Sequence, residues 1–269
     1  MKSFKKNWWK VILIVFICVI LDLILHTLAA LISSSNTSIF KPSIFVKHGL
    51  LKPSLFIYAM IDFGIMATVF VYIQDKLPNK KWVKGFLYGI SFGGLFFVGM
   101  FEGILLWNDT LFNSFLMGLV DFIPILLMGT LLGVFTGTNV FKNKRGQNMM
   151  SVFVIALCFI IGRYFSYTIL HITSAYNIKP LGTFIWTLCQ GLWVGIIYFI
   201  LQSGIKGKSV ISQSLFFGVV ILGLNWLMYH FFIAIIVEVS VISIFIRVGM
   251  DLLFIMLGVF VYKKFLFKR

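Results

Sequence analysis

Acidic side chains are scarce in this chain: eight in 269 residues, against 23 lysines and arginines. Charge of both signs together reaches only 12%, about half of what a soluble domain carries, which excludes a water-soluble globular body. Cysteine is scarce as well. Cys18, Cys158 and Cys189 all lie in apolar segments without a CxxC spacing, which excludes a disulfide framework and a thiolate metal centre. They read as small buried thiols. HExxH and paired-histidine motifs are absent, and no metal is assigned. The GxxxxGKS loop is absent too, so ATP could act only through a separate subunit, and no cofactor is expected.

Hydrophobic residues make up 60% of the sequence, with 31 phenylalanines gathered in runs of about 20 apolar positions. Runs such as "VILIVFICVILDLIL" do not alternate, as strands of a membrane barrel would. The sequence therefore predicts an all-α polytopic membrane protein with eight transmembrane helices, near 11–32, 53–73, 83–101, 111–135, 150–170, 181–201, 210–229 and 240–262. The links are short and leave no soluble domain. The longest, 33–52, has room for a short interfacial segment. "MKSFKKNWWK" precedes an apolar run without a convincing small-residue cleavage site, so a retained first helix is expected.

Charge placement sets the orientation. With both termini cytoplasmic, the inner segments hold 17 basic residues and the outer loops four: Lys41, Lys47, Lys52 and Lys179. Glu102, Asp109 and Glu238 offset the latter on the outside. This is the asymmetry that fixes membrane topology. It also explains the net charge of +15, whose bases meet lipid headgroups at separate cytoplasmic edges and leave no stripe for nucleic acid. Lysine-rich inner edges point to a bacterial cell membrane.

A repeat runs through the chain. "FIYAMIDFGIMATVFVYIQ" (56–74) resembles "FIWTLCQGLWVGIIYFILQ" (184–202) at an offset of 128, placing Tyr58 opposite Trp186 and Asp62 opposite Gln190. Gly89 falls opposite Gly218 at 129, Asp121 opposite Asp251 at 130, and Cys18 opposite Cys158 at 140. The expectation is a tandem parallel 4+4 helix repeat, with halves 1–141 and 142–269 and a substrate path where they meet.

Charged residues inside spans are costly, at about 2.5–3.5 kcal/mol each even on the mildest scale, and mark function by default. Asp22, Asp62, Asp121, Asp251 and Arg163 fall near mid-span, and Arg247 lies nearer the outer edge. Arg247 and Asp251, four apart, share a helix face and are expected to pair. Four carboxylates against two guanidiniums require a proton, water or a bound cation. Asp62 and Asp121 have no arginine in their own helices. Pro124, one turn beyond Asp121, is expected to kink that helix and free a carbonyl. Gln190 and Asn225 extend the polar set. Asp22 with His26, one turn on, and His230 form a candidate proton relay, with both histidines placed toward the outer surface. Glycine series at Gly85, Gly89, Gly93 and at Gly129, Gly133, Gly137 predict close helix packing, as do Gly191 and Gly195.

Three functions compete. A transporter or permease for a small solute or ion, coupled to protons or a cation through midplane aspartates, accounts for most features. A non-catalytic accessory, immunity or assembly protein, bound to another membrane protein through lipid-facing helices, is the second. The third is an enzyme acting on a lipid or lipid-linked substrate, which would need His26, His230, Glu102 and Glu238 to converge at the outer side.

Overall fold

The computed structural model describes residues 2–33, 41–139 and 148–267. The described residues form helices α1 (Lys2–Ile32), α2 (Ile44–Lys47), α3 (Leu51–Ile73), α4 (Lys81–Met100), α5 (Glu102–Leu106), α6 (Leu111–Thr136), α7 (Met150–Thr168), α8 (Pro180–Leu201), α9 (Val210–Leu215), α10 (Leu224–Ile236) and α11 (Val241–Val261). A π-helical segment, Phe216–Gly223, joins α9 to α10. Together these make eight helical units long and apolar enough to cross a membrane, in the order the hydropathy predicts. The expected domain boundary at 141/142, the bases Lys142, Lys144 and Arg145, and the terminal Lys268 and Arg269 lie outside the described residues.

Two span limits depart furthest from expectation. The third unit continues through α5 to Leu106, so Glu102 is a buried helical residue rather than part of an outer loop. An acid inside "GMFEGILL" reads as a span end, yet the helix passes it because partners lie within reach. The seventh unit continues to Ile236, which carries His230 into the buried interior. Local chemistry sets several helix starts. Thr110 accepts from the Asn113 amide, Ser209 and Ser212 cap each other reciprocally, and Pro180 occupies the first turn of α8.

Glycine decides which helices meet most closely. A Cβ on Gly129 of α6 would stand 2.6 Å from the Gly85 carbonyl oxygen and 2.7 Å from the Gly89 Cα of α4. On Gly133 it would stand 2.6 Å from the Lys81 carbonyl oxygen. The two backbones therefore touch, as small-residue faces allow where lipid supplies no hydrophobic drive. Gly195 of α8 meets Val152 of α7 in the same way, 2.5 Å from its carbonyl oxygen. α6 stays helical through the buried Pro124; π-helical segments occur within the seventh span, at Phe216–Gly223, and at the end of the eighth, at Tyr262–Leu266.

Around these pairs, α1 packs on α3 and α6, α7 packs on α8 and α11, α4 contacts α8, and α3 contacts α10. The outward faces of the bundle are apolar, with Ile57, Ile61, Phe153, Leu157, Leu253 and Leu257 exposed to lipid. The 33–52 link carries the short α2. It is pinned to the α10–α11 connection by a bridge between Pro42 and Val237, by the Glu238 amide donating to the Lys41 carbonyl (2.8 Å), and by the Lys47–Glu238 ion pair (3.2 Å).

Candidate functional site: a carboxylate cavity beside a closed ion-pair network

Four aspartates share one depth. Asp22 lies ten residues before Ile32, Asp62 eleven after Leu51, Asp121 ten after Leu111 and Asp251 ten after Val241, all counted from span ends on one side of the bundle. At 1.5 Å per residue this layer sits about 15 Å inside. The structure divides it into two environments.

The first lies among α1, α3, α4, α6 and α10. Asp22, His26, Asp62 and Asp121 line a cavity of ≈ 80 Å³, walled mainly by Tyr58, Phe63, Phe96, Tyr229 and Phe232. His26 connects two of the acids. Its Nδ1 is 3.1 Å from the Asp22 carbonyl oxygen, which can only accept, so Nδ1 carries hydrogen and donates. Nε2 then points at Asp121 Oδ1, 3.5 Å away. Two lone pairs do not face each other at that distance without a proton or a cation to share. Asp22 Oδ1 approaches Nδ1 from the other side at 3.6 Å. Asp62 is 2% exposed, lines the same cavity, and its Oδ1 has no hydrogen-bond partner. Donor atoms of Asp22, His26 and Asp121 lie within 4.8 Å of one another, close enough to share one ion.

The second environment is closed. Arg163 Nη2 is 2.7 Å from Asp251 Oδ2, and the Trp226 indole Nε1 donates to the same oxygen at 2.9 Å. Arg163 Nη1 is 3.5 Å from Glu102 Oε1, which Arg247 Nη1 approaches at 2.8 Å. Arg247 also donates to the Thr173 carbonyl. The Arg163 guanidinium sits 5.1 Å from the Trp186 ring, 5.4 Å from Phe159 and 6.0 Å from Trp226, within cation–π range. Arg163 has no solvent exposure although it stands only five residues from the end of α7, because its long side chain reaches to the Asp251 layer.

The expected Arg247–Asp251 pairing is corrected here: each residue prefers a partner on another helix. Arg247 takes Glu102 and Thr173, and Asp251 takes Arg163 and Trp226. An i,i+4 spacing permits contact but does not compete with a second charge delivered face-on from a neighbouring helix. Charge is thereby balanced locally, with two guanidiniums against two carboxylates. Among the described residues lining the cavity, three carboxyls, Asp22, Asp62 and Asp121, stand against one imidazole, His26.

The remaining predicted residues distribute as follows. Gln190 is fully buried and neither of its side-chain polar atoms has a partner. The Asn225 amide donates to the Ile221 carbonyl at 2.8 Å, leaving its oxygen unpartnered. His230 is 2% exposed, held through Nδ1 on the Trp226 carbonyl (3.0 Å), and does not join His26 in one relay. Pro124 is buried in an intact helix. The outer-side catalytic grouping does not form: His26 meets Asp121, Glu102 meets Arg247, Glu238 meets Lys47 and His230 meets Trp226. Sequence reasoning missed Glu102, Trp226 and Tyr58 as members of these sites. Persistence of apolar character through Leu106 was the available signal for Glu102.

No protein-family model matches the chain, and comparisons with curated proteins and with solved structures return no significant match. The functional reading therefore rests on the residues themselves.

Proposed function

We propose that this protein is a transporter or permease for a small solute or ion, with the Asp22–His26–Asp62–Asp121 cavity as its binding site and proton- or cation-coupling through those carboxyls. One observation carries the reading. Three carboxyls share a cavity at membrane depth with a single imidazole, while the buried Arg163, Arg247, Glu102 and Asp251 each have an opposite charge in contact. Charges in that position are retained against a large desolvation cost where they meet protons, water or cations in passage. An accessory protein needs no such imbalance, and a fully paired interior would have served it better.

The architecture proposed is two parallel halves, 1–141 and 142–269, with both termini cytoplasmic. Neighbour relations support it: α1 packs on α6 as α7 packs on α11, and α1 on α3 as α7 on α8. Between halves, α4 contacts α8 as α10 contacts α3. Burial supports it too. All eight buried residues of α3 fall on buried residues of α8 at the offset of 128. For the first spans the better register is 137: buried Ile14, Val15, Cys18, Val19, Asp22 and Ala29 then fall on buried Ser151, Val152, Ile155, Ala156, Phe159 and Ser166. The offset of 140 suggested by Cys18 and Cys158 gives way, because it sets buried Cys18 against the half-buried Cys158. The step from 129 at Gly218 to 130 at Asp251 follows the π segment, whose wider turn absorbs one extra residue.

Purified protein in sealed vesicles tests the function. An imposed proton or sodium gradient should drive solute-dependent flux in the wild type. Asp121→Asn and Asp62→Asn should reduce it by at least about tenfold, since each removes a charge from the site. Wild-type vesicles no leakier or more active than protein-free ones, across a broad solute panel, would sink the reading.

A further inference from the structure

The molecule holds two versions of one site, and the closed version indicates what fills the open one. At the registers above, Asp251 corresponds to Asp121, Trp186 to Tyr58, Trp226 to Phe96, Gln190 to Asp62 and Arg163 to His26. In the second half the carboxylate meets the guanidinium of Arg163, with Trp186 and Trp226 along its sides. In the first half the matching carboxylate and both matching aromatic positions line the cavity. The residue matching Arg163 there is a histidine, whose ring reaches Asp121 with only Nε2. The built-in cation is missing, and the space it would occupy belongs to the cavity.

We propose that the first-half cavity binds a small organic cation bearing a guanidinium or ammonium group. Asp121 holds the charged head, and Tyr58 and Phe96 flank it. This deepens the proposed transport function and rests on the two-half reading. Three features favour an organic cation over a bare metal ion. The ≈ 80 Å³ cavity is several times the roughly 10–15 Å³ that one water needs and so exceeds one bare ion, its walls are mainly aromatic and aliphatic, and aromatic faces stabilise cations of low charge density. Asp62 supplies independent support for a ligand here. A nearly fully buried carboxyl oxygen without a partner lines the cavity, at the place where the closed site has the neutral Gln190. The open site thus carries more negative charge than its closed counterpart as well as less positive charge.

The test is binding of methylguanidinium chloride to the full-length protein in detergent by calorimetry, with sodium chloride at equal ionic strength and zinc chloride as comparisons. Methylguanidinium should bind the wild type saturably. Asp121→Asn should weaken it by about 30-fold or more, the usual consequence of removing one partner from a buried charge pair. His26→Arg rebuilds the closed site from within; it should abolish binding and melt no lower than the wild type. Tyr58→Leu provides a variant that keeps every charge, and should weaken binding several-fold through the lost cation–π face. Zinc binding in place of methylguanidinium would overturn the inference, as would no binding of either, or undiminished methylguanidinium affinity in folded His26→Arg protein. Flux read after the same protein is reconstituted into sealed vesicles separates the two proposals. Methylguanidinium bound but never carried refutes transport and leaves the site standing. Another solute carried without methylguanidinium binding refutes the site and leaves transport standing.

Discussion

At the scale of single residues, burial makes the two aspartate environments respond oppositely to the same chemical change. Arg163 and Asp251 are both almost completely enclosed and 2.7 Å apart. Removing either partner leaves an uncompensated charge, at a cost of about 3–5 kcal/mol, whereas replacing both with apolar residues of similar size recovers much of it. Arg163→Met and Asp251→Leu should each lower the melting temperature of the purified protein sharply, and the double variant should melt above either single one. Asp62→Asn removes a charge that has no opposite charge in contact, so it should melt at or above the wild-type temperature even where it impairs binding. Equal destabilisation by all three single substitutions would mean that Asp62 is a structural partner like the others.

At the scale of helices, glycine spacing determines distance of approach and only tertiary contact tells which glycines matter. Gly129 lies against the α4 backbone, with 2.6 Å between its virtual Cβ and the Gly85 carbonyl oxygen, whereas Gly64 in α3 has nothing within 4 Å. Gly129→Ala must separate α4 from α6 and should cost about 1–3 kcal/mol, the usual penalty for overpacking. Gly64→Ala should be neutral or slightly stabilising, since alanine is the better helix former. Thermal melts of the two variants side by side check this contrast. Pro124 lies inside α6, which stays helical through it, as a helix packed on α1 and α4 can with one backbone donor missing. A separate irregular segment falls at the Phe216–Gly223 π turn, which no proline marks.

At the scale of the molecule, the proposed orientation places the α7–α8 link outside and the α8–α9 link inside. Ile178 and Lys208 are exposed in those links. In a cysteine-free background, Ile178→Cys should react with a membrane-impermeant maleimide in intact cells, and Lys208→Cys only after the membrane is opened. The reverse pattern would invert the assignment of both termini.

The sequence by itself determined the class and the count of spans, because a stretch of apolar residues long enough to cross lipid has few other fates. It also determined which residues must be special, since an aspartate at that depth is costly whatever surrounds it. Partnership was decided by the tertiary structure alone. Arg247 and Asp251 read as a pair along one helix, yet each found a charge on a different helix, because packing brings Glu102 of α5 within 2.8 Å of Arg247 and Arg163 of α7 within 2.7 Å of Asp251. Glu102 looked like a loop residue until two arginines were found within reach of it. The same cause hid the division of the aspartates into a closed network and an open cavity: net charge is a sum over the chain, but neutralisation is a contact over 3 Å.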